Sequence, residues 1–352
     1  MANLPMSTTD EPMAVIDTVS DAVNVVTDLM SGVSVPAPIR RSAIKAFSQL
    51  CTAAIEIPIA HLEGLATERR AETQGRVKII ESTAEQIARQ INVDPEYSRV
   101  AIRKFGAKIV REQVNLDQIS EVAAAQLRLD ATHVKQPSAD ETTFPEISDD
   151  WLNAFEREAC QKSTQDMQLL FGRILSGEIC KPSSFSIKTI KLMSQLDSRT
   201  ANIFKRLCSL AACLEIGPTV VDARVISLGG NAGSNCLKEY GLSFDQLNIL
   251  NEYGLIIPDY NSYMDYAACV AEEGQIVGVF RFEKSEWGLV PAPDRPKDEQ
   301  VRIHGVALTR AGRELMSIVD IDASESYRQA LVAYLDTMKL RLVRVSTPVE
   351  PT

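Results

Sequence analysis

The chain has 352 residues, of which 45% are apolar and 24% charged, as in ordinary globular proteins. This composition excludes a collagen-like, a wholly disordered or a small disulfide-stapled protein. At about 150 residues per domain, the length predicts two or three domains. Acidic residues (47) outnumber basic ones (37), and the net charge of −10 confines any nucleic-acid contact to a local basic patch.

The N-terminal region, residues 1–58, is expected to form amphipathic helices. The start, Met1–Pro5, lacks the basic flank and apolar run of a secretory signal, which predicts a cytoplasmic protein. Three aspartates interrupt the apolar stretch 13–35, each costing about 2.5 to 3.5 kcal/mol at a bilayer centre, so no membrane span is expected. The apolar residues recur at a spacing of three and four, which predicts a helical seam that needs a partner. The self-association candidates in this seam are Ile16, Val19, Val23, Val26 and Met30.

Residues 59–130 are expected to form a long helical arm that includes a basic helix. The pair Asp94–Pro95 favours a helix start, because Asp can cap the helix and Pro needs no hydrogen-bond partner at the first position. The helix extends to about residue 111, and a second amphipathic helix is expected over 116–129. The apolar face of the first helix carries Ile102, Phe105 and Ile109. The nucleic-acid or anion-binding candidates on its other face are Arg99, Arg103, Lys104, Lys108 and Arg111. A solvated helix, or one docked on the protein's own acidic surface, remains the alternative.

The rest of the chain is expected to comprise a linker, a helical bundle and an α+β part. Prolines and small polar residues mark 131–147 as the linker. Four amphipathic helices with short connections predict an antiparallel bundle over 148–216. Residues 217–352 predict an α+β domain with helices at 243–253, 309–319 and 325–339. Its strands are expected at 220–228, 263–271, 275–282 and 301–308. The fold class is therefore mainly α with an α+β C-terminal part, in which the sequences around Gly254 and Leu308 are similar to winged-helix domains.

No motif in the sequence demands a chemical reaction. The three histidines are far apart and the seven cysteines are scattered, so neither a metal nor a cofactor is expected. The loop Gly229–Ser234 could receive a phosphate on its amides, but it fits neither a P-loop nor a dinucleotide-binding turn, and a simple turn is the alternative. The adjacent pair Glu283–Lys284 would face opposite sides of a strand, which breaks a nuclease-type site. An enzyme with dispersed catalytic residues stays open.

A second basic set spans two of the bundle helices, and a solvated surface is again its alternative. This set consists of Lys181, Lys188, Lys191, Arg199, Lys205 and Arg206.

Five short sequences stand out between residues 112 and 312. They are Asp149-Asp150-Trp151-Leu152, Ile174-Leu175-Ser176-Gly177-Glu178, Phe185-Ser186, Glu112-Gln113-Val114-Asn115 and the Leu-Thr-x-x-Gly sequence at 308–312. They resemble a family of uncharacterised bacterial proteins, a domain of unknown function. A looser similarity extends to abortive-infection alpha proteins of antiphage defence. The resemblance implies an intracellular bacterial protein and lends no catalytic residues.

These observations favour a non-enzymatic interaction protein that self-associates, with a role in antiphage defence suggested by the looser resemblance. Two alternatives remain: a nucleic-acid-binding regulator that uses the winged-helix-like part and the basic helix, and a membrane-perturbing effector that acts through residues 13–60. The expected partners are accordingly a second copy of the chain or another protein, with nucleic acid and peripheral membrane contact as alternatives.

Overall fold

The structure, a computed structural model, describes residues 37–51, 95–131, 145–271, 277–296 and 299–344. The chain divides into two compact units, with the boundary between Ile187 and Lys188. The self-association candidates Ile16, Val19, Val23, Val26 and Met30, and the arm up to residue 94, lie outside the described residues.

The first unit is helical in its described part, and its core lies between helices that carry one apolar face each. Phe47 of the first helix, Ile119 of the second, Phe155 of the third and Phe171 of the fourth are all buried. The end of the expected linker takes part as well, because Ile147 is fully buried and its carbonyl accepts a hydrogen bond from Lys45 Nζ at 2.7 Å. The helices are α1 (Ala37–Leu50), α2 (Pro95–Ala131), α3 (Asp149–Ala159) and α4 (Gln165–Cys180).

Helix α2 is one continuous helix of 37 residues, about 55 Å long, and not the two helices expected from the sequence. The junction residues 112–115 contain neither proline nor glycine, so nothing in the chain breaks the helix there. Helix α4 approaches α2 closely at Gly172, where a Cβ would lie 2.4 Å from the Val122 side chain. The second half of α2 is therefore packed tightly against α4.

The second unit is a mixed α+β structure built on a seven-stranded sheet, which confirms the expected α+β C-terminal part. Every neighbouring pair in the strand order β3-β6-β2-β1-β4-β5-β7 is antiparallel. The strands are β1 (Ala211–Ile216), β2 (Thr219–Ile226), β3 (Ser262–Asp265), β4 (Gly278–Phe282), β5 (Ser285–Pro291), β6 (Arg302–Ala307) and β7 (Leu340–Arg344). The helices are α5 (Ile187–Gln195), which begins at the boundary, α6 (Ser198–Leu210), α7 (Phe244–Glu252), α8 (Arg310–Met316) and α9 (Glu325–Thr337).

The expected bundle over 148–216 differs from the structure in two respects. The boundary at Ile187 assigns α3 and α4 to the first unit and α6 to the second. Residues 211–216, expected at the end of a helical bundle, form the sheet strand β1, because they pair with both β2 and β4. The expected strand 263–271 is also shorter than predicted, since β3 ends at Asp265 and a 3₁₀ turn follows at Ala267–Cys269.

No helix in the described part of the chain is long and apolar enough to span a membrane. The membrane alternative relied on residues 13–60, of which the structure describes 37–51.

Candidate interaction surface

Three residues from the sequences that resemble the uncharacterised family lie against Phe185 in the first unit. Together with Phe185 they form what is here called the clamp: Trp151, Gly177 and Glu178. Glu178, near the end of α4, is 2% exposed, and its carboxylate accepts hydrogen bonds from the backbone amides of Ser183 (2.6 Å) and Phe185 (2.9 Å). The indole N–H of Trp151 donates to the Phe185 carbonyl at 2.7 Å. A Cβ at Gly177 would lie 2.8 Å from the Phe185 ring, so residue 177 must be glycine for the ring to lie where it does. The clamp therefore fixes the turn that follows α4.

Two amide side chains of the Glu-Gln-Val-Asn sequence connect α2 to the ends of its neighbours. Gln113 Nε2 donates to the carbonyl of Leu50, the last residue of α1, at 2.8 Å. Asn115 Nδ2 donates to the carbonyl of Cys160, which follows α3, also at 2.8 Å. Carbonyls at helix C-termini lack intrahelical partners, so both contacts satisfy groups that would otherwise need water. Gln113 and Asn115 are structural residues.

The Leu-Thr-x-x-Gly sequence has the same kind of role in the second unit. Thr309 Oγ1 donates to the carbonyl of Gly254 at 2.7 Å and accepts from the amide of Gly312 at 3.1 Å, capping α8. A Cβ at Gly312 would lie 2.2 Å from the carbonyl oxygen of Leu255, which excludes any side chain without a backbone shift. The sequence thus brings α8 close to the segment that follows α7.

A buried ion pair in the second unit joins Asp222 and Arg224, which share a face of β2. The guanidinium of Arg224 donates to both carboxylate oxygens and to the carbonyls of Ser262 on β3 and Ile303 on β6. The hydroxyl of Tyr266 donates to Asp222 at 2.9 Å. Burial, together with the nearby carboxylate, raises the pKa of Tyr266 well above its usual value. Because the Arg224 donors bridge three strands and are engaged, this cluster is structural.

The loop Gly229–Ser234 is an internally bonded turn. The amide of Gly230 donates to the Ser227 carbonyl at 2.8 Å, and the amide of Gly233 to Asn231 Oδ1 at 2.8 Å. The amide of Ser234 donates to the Asn231 carbonyl at 3.0 Å. A phosphate site needs such amides free, so the geometry supports the turn and not the anion cradle.

Glu283 and Lys284 form the two-residue turn between β4 and β5, both with left-handed backbone angles (φ +50° and +61°). They are therefore not part of a strand, contrary to the geometry considered from the sequence. The Glu283 carboxylate accepts from the backbone amide of Ser324 at 3.1 Å and pairs with Arg328 at 3.0 Å. The acidic group thus anchors the start of α9.

The described thiols are protonated core groups where they are most buried. Burial raises the pKa of Cys51, Cys213 and Cys269 to about 12. A thiol with a raised pKa is a poor nucleophile and a poor metal ligand at neutral pH. Among the residues that the structure describes, no group of three His, Cys, Asp or Glu side chains could hold a metal ion.

The basic candidates lie on the first half of α2, residues 95–114, and they are exposed: Arg103, Lys104, Lys108 and Arg111. Arg99 belongs to the same helix, but its side chain is outside the described ones. Lys108 Nζ lies 3.6 Å from the carboxylate of Glu112, one turn along the helix. Within the described part of the chain, Arg103, Lys104 and Arg111 have no acidic partner. Their positive charge is therefore available to an anionic surface.

The predicted apolar face of this helix is only partly covered. Phe105 is 59% exposed and Ile109 is half-buried, while the side chain of Ile102 is outside the described ones. The same face continues at a spacing of three and four into Leu116 and Ile119, which are buried. The predicted face is thus correct, but its burial begins only near the middle of α2, where the packed half starts.

The opposite side of the first half carries a second set of exposed apolar side chains, here called the outward strip: Val100, Ala107, Val110 and Val114. The three valines are 55%, 63% and 41% exposed. At about 100° per residue, the strip lies on the side of α2 opposite Phe105. The spacing of three and four along the strip also includes position 103, which is occupied by Arg103 and not by an apolar residue. Sequence reasoning missed the strip, although the recurrence of three and four over 100-103-107-110-114 was the available signal.

The second basic set is partly engaged inside the second unit. Arg206 Nε donates to the carbonyl of Tyr240 at 2.6 Å, and Lys205 pairs with Asp322 at 3.0 Å. Four members, Lys181, Lys188, Lys191 and Arg199, are exposed, and Lys181 belongs to the first unit. Two members of the set are therefore engaged within the second unit, and the four exposed members are divided between the two units.

Comparisons with known proteins extend this account in one respect. No curated protein and no solved structure matches the chain. The looser similarity to abortive-infection alpha proteins thus stays a prediction from the sequence. The model of a family described as "Protein of unknown function (DUF2806)" matches residues 99–332, from the first half of α2 to α9. This range is more than half of the chain and includes Gln113, Trp151, Glu178 and Gly312, so the chain belongs to the DUF2806 family.

Proposed function

We propose that the protein is a non-enzymatic interaction protein that self-associates, with the first half of α2 as its binding element. The outward strip is the observation that carries this proposal. Its valines are exposed on a helix whose other half is packed, and a row of apolar side chains at seam spacing is typical of a helix with a second partner. The sequences that resemble the family have structural roles: they form the clamp, the side-chain contacts of Gln113 and Asn115, and the Thr309 cap of α8. Their residues therefore do not require an enzymatic role.

The contribution of the strip can be compared with a measurable affinity. Burying a valine fully contributes about 1.5 to 3 kcal/mol, and about half of each strip valine remains to be covered. Covering Val100, Val110 and Val114 therefore contributes about 2 to 4 kcal/mol, which corresponds to roughly 30- to 1,000-fold in Kd. Disruption of the strip is thus expected to change the oligomeric state over an accessible concentration range.

Sedimentation equilibrium of the full chain tests the proposal. Val110→Asp places a charge in the strip and removes the share of Val110, about 1 to 2 kcal/mol, so it should weaken self-association about 5- to 30-fold. Val277→Asp is the matched control, because Val277 is 74% exposed in the second unit and should leave the mass unchanged. A wild-type chain that stays monomeric up to tens of micromolar, or a Val110→Asp chain that associates like the wild type, would refute the proposed function.

Nucleic-acid binding is the second candidate function, favoured by the exposed cations Arg103, Lys104 and Arg111. The winged-helix-like interpretation of the C-terminal part belongs to this candidate, although the part is built on a seven-stranded sheet, which is larger than a wing. If the α2 cations contact phosphates, Arg103→Glu should weaken binding of a duplex oligonucleotide and lower the salt slope by about one. No binding at low salt, or an unchanged slope, would exclude this function for α2.

A further inference from the structure

We propose that strand β7 is an open sheet edge that binds an acidic, extended peptide of another protein as an additional antiparallel strand. The site lies in the second unit and uses no residue of α2. The inference therefore goes beyond the proposed function and does not depend on it.

The backbone of β7 is available on one side. β7 is the last strand in the order of the sheet, and its five residues pair with β5 without a bulge. In an antiparallel ladder, successive residues direct their amide and carbonyl groups to alternate sides of the strand. Within the described part of the chain, the groups of β7 that point away from β5 have no hydrogen-bond partner. An edge of this kind can serve as a template for a further strand.

The side chains of β7 give this edge a positive charge. Arg341 and Arg344 are exposed, and neither has an acidic partner among the residues that the structure describes. The Cζ atom of Arg344 lies 5.3 Å from the ring centroid of Trp287, its cross-strand neighbour, and this contact holds the guanidinium beside the strand. Between the two arginines, Leu342 is half-buried and Val343 is 47% exposed. The edge is thus basic at two positions and apolar between them.

The spacing of the two arginines predicts the sequence of the partner. Positions 341 and 344 are three apart, so their side chains lie on opposite faces of the sheet. Directly opposite residues of an antiparallel pair share a face, with Cβ atoms about 4.5 to 5.5 Å apart. A partner with an acid opposite each arginine therefore has two acidic residues three positions apart, separated by two apolar residues. Screening over about 8 Å lets these nearby arginines outweigh the net charge of −10 of the whole chain.

The same charges disfavour pairing of β7 with β7 of a second copy. Antiparallel pairing centred on Leu342 would place Arg341 of each copy opposite Val343 of the other. The two Arg341 side chains would then be diagonal neighbours on one face, about 7 to 8 Å apart. No acidic residue of β7 could compensate them, and natural edge strands use such charges against self-pairing.

The other edge of the sheet, β3, does not fit this partner. β3 has four residues, and its one charged side chain is Asp265. The Asp265 carboxylate accepts from the amides of Ala267 at 3.0 Å and Val301 at 3.2 Å, where the chain turns away from the edge. An acidic peptide would meet a carboxylate there, so β7 is the edge that selects an acidic strand.

Fluorescence anisotropy of the full chain with a labelled peptide tests the inference. The probe is the peptide Ser-Thr-Glu-Val-Val-Glu-Thr-Ser with fluorescein at its N-terminus. The wild-type chain should bind it saturably, and Arg341→Glu/Arg344→Glu should weaken binding at least about fourfold, because repulsion replaces attraction at two positions. Arg302→Glu is the matched control, because Arg302 is exposed on β6 beside the other edge and should leave the Kd unchanged.

Two altered peptides separate strand addition from charge attraction alone. A peptide with lysine in place of both glutamates should bind Arg341→Glu/Arg344→Glu better than the wild type, and this reversal also shows that the variant is folded. A peptide with proline in place of both valines keeps the charges but lacks two backbone donors, so it should bind the wild type more weakly. The original peptide should also slow hydrogen exchange over residues 340–344.

The remaining outcomes would overturn the inference. These are no saturable binding up to about 1 mM peptide, equal binding of the proline peptide, and unchanged hydrogen exchange over 340–344. Displacement of the peptide by an oligonucleotide duplex would assign the two arginines to nucleic acid and overturn it as well. Val110→Asp should bind the peptide as the wild type does, so a failure of the proposed self-association leaves this result unaffected.

Discussion

The Glu178→Ala substitution should destabilise the first unit through two backbone amides. The carboxylate of Glu178 accepts from the amides of Ser183 and Phe185, and alanine leaves both without this partner. Phe185 is buried, so its orphaned amide costs about 1 to 3 kcal/mol. Ser183 is exposed and its amide can bind water, which limits that loss to about 0.5 to 1.5 kcal/mol. The expected total is about 2 to 4 kcal/mol in the free energy of unfolding of the first unit.

Two further variants test this turn. Glu178→Gln distinguishes the amide contacts from simple loss of volume, and Ser183→Gly tests the backbone conformation at Ser183. Glu178→Gln keeps one acceptor oxygen but opposes the second amide with a donor, so its loss should lie between zero and that of alanine. Ser183 has a left-handed φ of +72°, a conformation that costs a residue with a side chain about 1 to 2 kcal/mol. Ser183→Gly should therefore raise the free energy of unfolding by up to about 1 kcal/mol, after the larger entropy loss of glycine.

Urea unfolding followed by tryptophan fluorescence is the appropriate assay. The chain has two tryptophans, Trp151 in the clamp and Trp287 on β5 of the second unit. In a Trp287→Phe background the emission reports Trp151, which is 5% exposed and stacked on Phe155 with a centroid distance of 5.1 Å. A loss below about 0.5 kcal/mol in Glu178→Ala, or equal losses in Ala and Gln, would refute the amide argument.

Three further predictions concern the second unit. Gly312→Ala forces a Cβ to within 2.2 Å of the Leu255 carbonyl. In a urea titration it should lower the free energy of unfolding by about 1 to 3 kcal/mol. An unchanged free energy of unfolding would refute the close approach. Tyr327→Phe removes a buried hydroxyl that donates to the Ile226 carbonyl and accepts from the Ile226 amide, both at 2.9 Å; the same titration should show a loss of about 2 to 4 kcal/mol. Burial raises the pKa of Cys213 from 9.0 to about 12, so the folded state holds the thiol proton more tightly than the unfolded state. The stability from this group is therefore complete below pH 9 and falls by about 1.4 kcal/mol per pH unit as the pH rises from 9 towards 12; Cys213→Ala should remove this share of the alkaline slope in urea titrations at pH 8, 9 and 10.

Local signals explain why several helices could be predicted closely from the sequence. The expected helix over 243–253 is α7 (Phe244–Glu252), and its start is fixed by Ser243 and Gln246, which form a reciprocal capping box. The expected helix over 325–339 is α9, whose ends lie within two residues of the prediction. In both cases the apolar spacing and the terminal residues are contained in the helix's own sequence, so no distant contact was needed.

The strands β1 and β7 could not be predicted because their state depends on distant pairing. β1 has the sequence Ala-Ala-Cys-Leu-Glu-Ile, which continues the helical composition of α6. It is a strand because residues from β2 and from β4, about 65 positions along the chain, pair with its two edges. β7 similarly depends on β5, whose paired residues lie about 50 positions earlier in the sequence. Tertiary contact overrides local preference in such segments.

For the first half of α2, the sequence could predict where the basic side chains lie, but not how far the apolar side chains are buried. The positions of Arg103, Lys104, Lys108 and Arg111 follow from helical spacing alone, and these side chains are exposed as an anion-binding face requires. Phe105 has the spacing of an apolar face, yet it is 59% exposed. That spacing fixes only the direction of a side chain, while its burial depends on whether a neighbouring helix extends that far.

The two halves of α2 differ in what stabilises them, and this difference makes the binding proposals testable without loss of the fold. The second half is anchored by the buried side chains of Leu116 and Ile119 and by the contact of Asn115, which favours helix nucleation there. The first half only adds residues to an existing helix, which costs little, and its strip valines contribute nothing to the core while they are exposed. A partner that binds this half therefore meets a preformed helix and loses less conformational entropy on binding than it would with a disordered segment. Substitutions in the strip should accordingly change the dimer affinity and leave the unfolding of the first unit nearly unchanged. Glu178→Ala should have the reverse effect, because it should lower the free energy of unfolding of the first unit and leave the dimer affinity nearly unchanged. A strip variant that changed both the dimer affinity and the free energy of unfolding would show that the two halves of α2 are not independent.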